Sequence, residues 1–142
     1  MAGYDVSLYR LYLAGVPMFA RCTTAQLDLV AALGEADSYV PGQDIVREGD
    51  EGGGGFFVMT GGRARVRRHD HDVAELGTGD YFGELSLFDP APRNATVTAI
   101  DTVSCVVLSA DAFRRALDEL PSVRDALLHG MARRIHELDE RY

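Results

Sequence analysis

Tyr81-Phe82-Gly83-Glu84-Leu85-Ser86-Leu87-Phe88-Asp89-Pro90-Ala91-Pro92-Arg93-Asn94-Ala95-Thr96-Val97 carries the densest chemistry in the chain. A glycine at 83 lets the backbone approach another group closely, and the residues after it read as a short helical turn over 84–88. The free N–H groups at such a start favour an anion. Two prolines then fix a tight return that ends on Arg93, a planar cation whose fork of donors suits a phosphate. Glu84 is out of place beside a phosphate unless it accepts a hydrogen bond from a hydroxyl of the same ligand. A sugar phosphate therefore fits this stretch better than inorganic phosphate.

Outward from this stretch the chain reads as three parts. Residues 36–108 are short apolar runs cut at regular intervals by Pro41-Gly42, Glu48-Gly49-Asp50, Gly61-Gly62, Gly77-Thr78-Gly79-Asp80 and Asp89-Pro90. Between those turns lie expected strands at 45–46, 56–60, 63–68, 73–76, 96–100 and 102–108. That rhythm predicts a sandwich, jelly roll or barrel of about eight strands rather than alternating βαβ units. Residues 1–34 read as helical, with Thr24 capping a helix that ends before Gly34. Residues 110–142 turn helical again, with Ser109 as an N-cap and Pro121 opening a second helix. On that last helix Val123, Leu127, Met131 and Ile135 form a four-residue apolar stripe, which is expected to carry a homodimer contact. The whole of 1–142 reads as one domain.

The motif resembles the phosphate-binding cassette of the cyclic-nucleotide-binding domain family, which includes the bacterial catabolite activators and the regulatory subunits of cyclic-AMP-dependent kinase. Its Phe-Gly-Glu-Leu-small-Leu element stands here at 82–87, and its Arg-small-Ala-Thr-Val element at 93–97. Pro41-Gly42-Gln43-Asp44-Ile45, Glu48-Gly49-Asp50, Gly61, Gly79-Asp80 and Met131-Ala132-Arg133-Arg134 are similar to further landmarks of that family. The resemblance implies a mainly β fold, a double-stranded β-helix or jelly roll with flanking helices. It implies that Glu84 accepts from a ribose 2′-hydroxyl and that Arg93 pairs with the cyclic phosphate. Phe82, Gly83, Leu85, Ser86 and Ala95 are then expected around the ligand, and Asn94 beside the phosphate or the base. Cyclic AMP is the expected ligand, with cyclic GMP as the alternative. The positions matching the adenine-reading pair of the catabolite activator hold Leu138 and Asp139, so base recognition is not carried over. Tyr142 is a minor candidate for stacking on a purine.

Composition narrows the class. The 142 residues have a net charge of −8, which argues against a domain built to grip nucleic acid. All 14 basic residues are Arg, which removes P-loop and Schiff-base chemistry. Cys22 and Cys105 are the two cysteines and offer no thiolate metal set. No apolar run reaches the ~20 residues of a bilayer span and no signal segment opens the chain, so a cytoplasmic address is expected. His69, His71 and Glu75 resemble part of the metal triad of cupins, the weak enzymatic alternative. Arg63, Arg65 and Arg67 alternate on one strand face, either a solvated face or a local nucleic-acid patch. With no cofactor, metal or nucleophile implied, the expected function is a non-enzymatic sensor that acts on an unidentified effector. The alternatives are the ligand-binding part of a transcription regulator without its helix-turn-helix, and a degenerate domain that mediates protein contacts.

Overall fold

A computed structural model describes residues 5–50, 55–87 and 92–141, the side chains of Leu85 and of 134–141 excepted. The chain divides into two compact units, one of strands (Gly34–Ala110) and one of helices (Asp5–Leu33 with Asp111 onward).

The strand unit holds eight strands among the described residues: β1 Glu35–Tyr39, β2 Asp44–Val46, β3 Gly55–Gly61, β4 Ala64–Arg68, β5 His71–Leu76, β6 Tyr81–Phe82, β7 Thr96–Ala99 and β8 Val103–Ser109. They form two antiparallel four-stranded sheets, ordered β1-β8-β3-β6 and β2-β7-β4-β5. This is one of the all-β architectures that the turn spacing allows, and the jelly roll that the resemblance implies. β3 pairs with β8 from Gly55↔Ser109 to Gly61↔Ser104, and β4 with β7 from Ala64↔Ala99 to Arg67↔Thr96. Side chains alternate across each strand. On β4, Ala64 is buried and Val66 packs against the core, while Arg65 and Arg67, and Arg63 just before the strand, are exposed. Tyr39, Phe57, Met59, Val97, Ala99, Val103 and Cys105 complete that core. The Cys105 thiol is pushed up to about 12 by burial first and by Asp37 second. It is inert at neutral pH.

The helical unit contains α1 Val6–Ala14, a 3-10 turn at Pro17–Phe19, α2 Thr24–Ala31, α3 Ala110–Glu119 and α4 Pro121–Arg141. The cap of α2 is Thr23, not Thr24. Its side chain accepts from the Gln26 N–H, and the Gln26 side chain accepts from the Thr23 N–H, a complete capping box. α4 presses so closely on the 3-10 turn that a Cβ at Gly130 would collide with the Met18 carbonyl. Half of the apolar stripe of α4 is taken up inside the chain. Val123 and Leu127 are fully buried in the chain, Ile135 lies outside the described side chains, and the large apolar side chain left in solvent is Leu128, 56% exposed. A four-residue period marks an apolar face but does not say what covers it.

Candidate functional site

β6 delivers Gly83 to the edge of the β1-β8-β3-β6 sheet, where φ is +83°. An added Cβ there would stand 2.6 Å from the Gly55 carbonyl and 2.7 Å from Nη1 of Arg93. Only glycine fits both the left-handed backbone and that gap. The next residues form a 3-10 turn, Glu84–Leu87. Ser86 holds it: its N–H donates to the Gly83 carbonyl at 3.1 Å, and its hydroxyl lies 2.7 Å from Gly83 O and 3.2 Å from Gly55 O. Both donors of Ser86 are thus engaged in shaping the turn.

Arg93 reaches the same place from the other side of the cassette. Its Nη2 donates to Gly55 O at 3.2 Å, and its guanidinium carbon stands 5.9 Å from the Phe57 ring centroid. Phe57 is stacked on Phe82 at 4.8 Å and 7°, so an aromatic pair backs the cation. The Arg93 backbone is clamped by the 47–50 turn: Gly49 N–H donates to its carbonyl at 2.8 Å, and its own N–H donates to Asp50 O at 2.9 Å. Burial lowers the Arg93 pKa, the mark of a cation partly stripped of water. Among the described residues it forms no ion pair. Glu84 sits at the start of the 3-10 turn with Oε2 shut off from solvent.

Beside this turn lies a cavity of about 230 Å³, walled by Val46, Val66, Leu76 and Val97 and bounded by Phe82, Gly83, Arg93, Asn94 and Ala95; Glu84 and Ser86 belong to the adjoining turn and do not line it. Ala95 is buried and Asn94 exposed. Phe82, Gly83, Glu84, Ser86, Arg93, Asn94 and Ala95 are therefore gathered in one region of the strand unit. The Leu85 side chain, residues 88–91 and Tyr142 lie outside the described residues, as do the side chains of Leu138 and Asp139. An apolar cavity with a partly desolvated cation in its lining can take an anion attached to a flat, partly apolar body.

Sequence reasoning left the apolar walls and one polar neighbour unassigned. Arg68 also borders the cavity, its Nε donating to the Asn94 carbonyl at 3.1 Å. Strand parity was the signal available for it: Arg63, Arg65 and Arg67 share a face, which puts Arg68 on the opposite, inner one. The outward arginines meet carboxylates, Arg63 with Asp101 at 3.3 Å and Arg67 with Asp72 at 3.4 Å, so the face is a solvated ion-pair ladder. The cupin-like spacing is broken at its first member: His71 and Glu75 lie on β5, but His69 does not. His69 is in the β4–β5 turn at φ +51° with Nδ1 3.1 Å from Glu48, and the described residues hold no group of three side chains placed for a metal.

The pattern described as Cyclic nucleotide-binding domain matches residues 36–119. The chain is 35% identical over 114 residues to a cGMP-dependent protein kinase of Toxoplasma gondii, covering 80% of this chain and 11% of the kinase. The solved N-terminal domain of a transcriptional regulator from Streptomyces coelicolor A3(2) superposes with a TM-score of 0.83 at 31% identity, over 91% of this chain and 95% of that one. The regulatory domain of Toxoplasma gondii PKA, solved with cAMP, gives 0.68 at 28% identity, over 90% of this chain and 50% of that one. The chain thus spans about a tenth of the kinase and half of the PKA regulatory domain. A jelly roll carrying this cassette, matched across the whole strand unit, belongs to the cyclic-nucleotide-binding domain family.

Proposed function

We propose that residues 1–142 act as one sensor module that binds a 3′,5′-cyclic purine nucleotide and catalyses no reaction on it. The observation that carries this reading is Arg93: a guanidinium partly stripped of water, backed by Phe57, without a carboxylate partner among the described residues, in the lining of an apolar cavity. An anion completes such a site. The cyclic phosphate takes Arg93, and the ribose 2′-hydroxyl donates to Glu84. Cyclic AMP and cyclic GMP share both groups, so each is a ligand at this level, in keeping with relatives named for one or the other. The reading includes an effector that senses the bound state and self-association through the exposed side of α4 at Leu128. No helix among the described residues is long and apolar enough to cross a membrane, and a cytoplasmic address accords with the proposal.

Calorimetric titration with cyclic AMP and cyclic GMP tests it. Removing a charge-assisted contact shielded from water costs about 2–5 kcal/mol, a loss of roughly 30- to several-thousand-fold. Arg93→Ala should lose both nucleotides on that scale, and Arg93→Lys should restore little because a point charge lacks the fork. An Arg93→Ala chain that binds as tightly as the parent refutes the assignment. A parent chain that binds neither nucleotide at millimolar concentration leaves the degenerate, contact-mediating reading in its place.

A further inference from the structure

Arg68 is the side chain that the strand pattern does not explain. Ala64, Val66 and Arg68 alternate along β4, and Arg68, its exposed last residue, puts a guanidinium at the rim of the face that Ala64 and Val66 line. Unlike Arg63, Arg65 and Arg67, it forms no ion pair among the described residues. Its Nε is fixed on the Asn94 carbonyl at 3.1 Å, which leaves the four N–H bonds of its two terminal nitrogens for other acceptors. It borders the same cavity as Arg93.

Resting on the nucleotide reading above, we propose that Arg68 reads the base, and that the site favours a 6-oxopurine cyclic nucleotide, of the guanine type, over the adenine one. The phosphate end is furnished by Arg93 and Gly83. The walls Val46, Val66, Leu76 and Val97 suit the flat faces of a purine. Arg68 follows Val66 by two residues and borders the same cavity, so a base lying on Val66 would turn an edge toward it. Guanine presents N7 and O6 there, two acceptors side by side, which match a donor-only fork. Adenine presents N7 beside the N6 amino group, so one prong of the fork faces a donor. A second phosphate contact is the weaker role for Arg68. A cyclic monophosphate carries one negative charge, Arg93 meets it away from water, and Arg68 stands at an exposed rim where charge attraction is screened.

The test titrates the full chain with cyclic GMP, cyclic IMP and cyclic AMP. Cyclic IMP keeps N7 and O6 but lacks the 2-amino group. The parent should bind cyclic GMP and cyclic IMP more tightly than cyclic AMP. Arg68→Met, checked for folding by thermal melting, should weaken those two by about five- to tenfold, the low end for a bidentate base contact, with cyclic AMP changing less than about twofold. Arg68→Lys should recover little of the preference, since it keeps the charge and loses the fork. Equal loss for all three nucleotides means a charge or stacking contact and overturns the assignment, as does no loss for any. A parent that prefers cyclic AMP overturns it too. Failure of the nucleotide reading looks different, because the parent then binds none of the three.

Discussion

Gly83→Ala separates the geometry of the cassette from its backbone strain. Gly83 and Gly42 have nearly the same backbone, φ +83° and +84°, but different surroundings. A Cβ at Gly42 meets nothing within 4 Å, whereas at Gly83 it would stand 2.6 Å from the Gly55 carbonyl and 2.7 Å from Nη1 of Arg93. Each alanine variant carries the left-handed cost of about 1–2 kcal/mol. That alone lowers the melting temperature by about 3–8 °C in a chain of this size. Gly83→Ala carries more. The Arg93 tip can swing aside, but the Gly55 carbonyl is backbone and accepts from both Arg93 and Ser86. Displacing that oxygen loosens two hydrogen bonds, each worth about 1 kcal/mol or somewhat more where the donor is charged. The loss falls on the side chain that meets the phosphate. Gly42→Ala should therefore melt lower yet bind cyclic nucleotide as the parent does. Gly83→Ala should melt lower still and bind about tenfold or more weaker, the equivalent of one displaced contact of about 1.4 kcal/mol. Melting curves and calorimetry on the two variants measure both effects. If Gly83→Ala binds as well as Gly42→Ala, the close packing of Gly83, Gly55 and Arg93 has no part in affinity.

Two further expectations concern the rest of the fold. Leu127, fully buried, should lose about 2–5 kcal/mol of stability as Ala, whereas Leu128→Glu, at a site 56% exposed, should leave melting nearly unchanged and abolish any dimer seen by sedimentation; a Leu128→Glu chain that still dimerises places the interface elsewhere. The Asp44 carboxylate accepts from the Thr98 hydroxyl at 2.7 Å and from Arg47 at 3.0 Å, and the Thr98 bond is the main cause that holds its pKa below the ordinary value. Its contribution is therefore present above the unfolded value and is lost as pH falls through the lower folded one, so Asp44→Asn should flatten the fall in melting temperature below about pH 4; an unchanged acid limb would remove Asp44 from it.

The strand unit was legible because its turns are spelled in Gly, Pro and Asp, which punctuate a chain whatever it later packs against. The first strand was harder to see. Glu35–Tyr39 is Glu-Ala-Asp-Ser-Tyr, and its first four residues are exposed. Its backbone pairing with β8, not its side chains, makes it a strand. Thr23 and Thr24 are equally good caps by type, and only Gln26, three residues after the first, decides between them. The stripe on α4 was legible as an apolar face, but not in what covers it. Val123 and Leu127 are spaced for an apolar face, but burial within the chain or against a second copy imposes the same period.

At the site, the residues near a ligand were legible and those that hold them were not, because the holding bonds join distant parts of the chain. Arg93 was readable as a phosphate fork from its neighbours. Its position depends on Gly55, 38 residues away, and on the carbonyl of Asp50. The turn that contains Asp50 is held in its own right. Glu48 donates its N–H to the Thr96 hydroxyl at 2.9 Å, and its carboxylate receives the His69 N–H at 2.9 Å. The β4–β5 turn thus grips the loop that grips Arg93, while Arg68, one residue before His69, reaches Asn94 from the same turn. His69 and Asp70, both at positive φ, give the turn the tight left-handed shape that brings His69 to Glu48. A short polar tip in sequence is therefore a structural staple between the β4–β5 turn and the 47–50 loop, and alterations at Glu48 or His69 act on the phosphate site through Arg93 backbone bonds rather than through any ligand contact of their own.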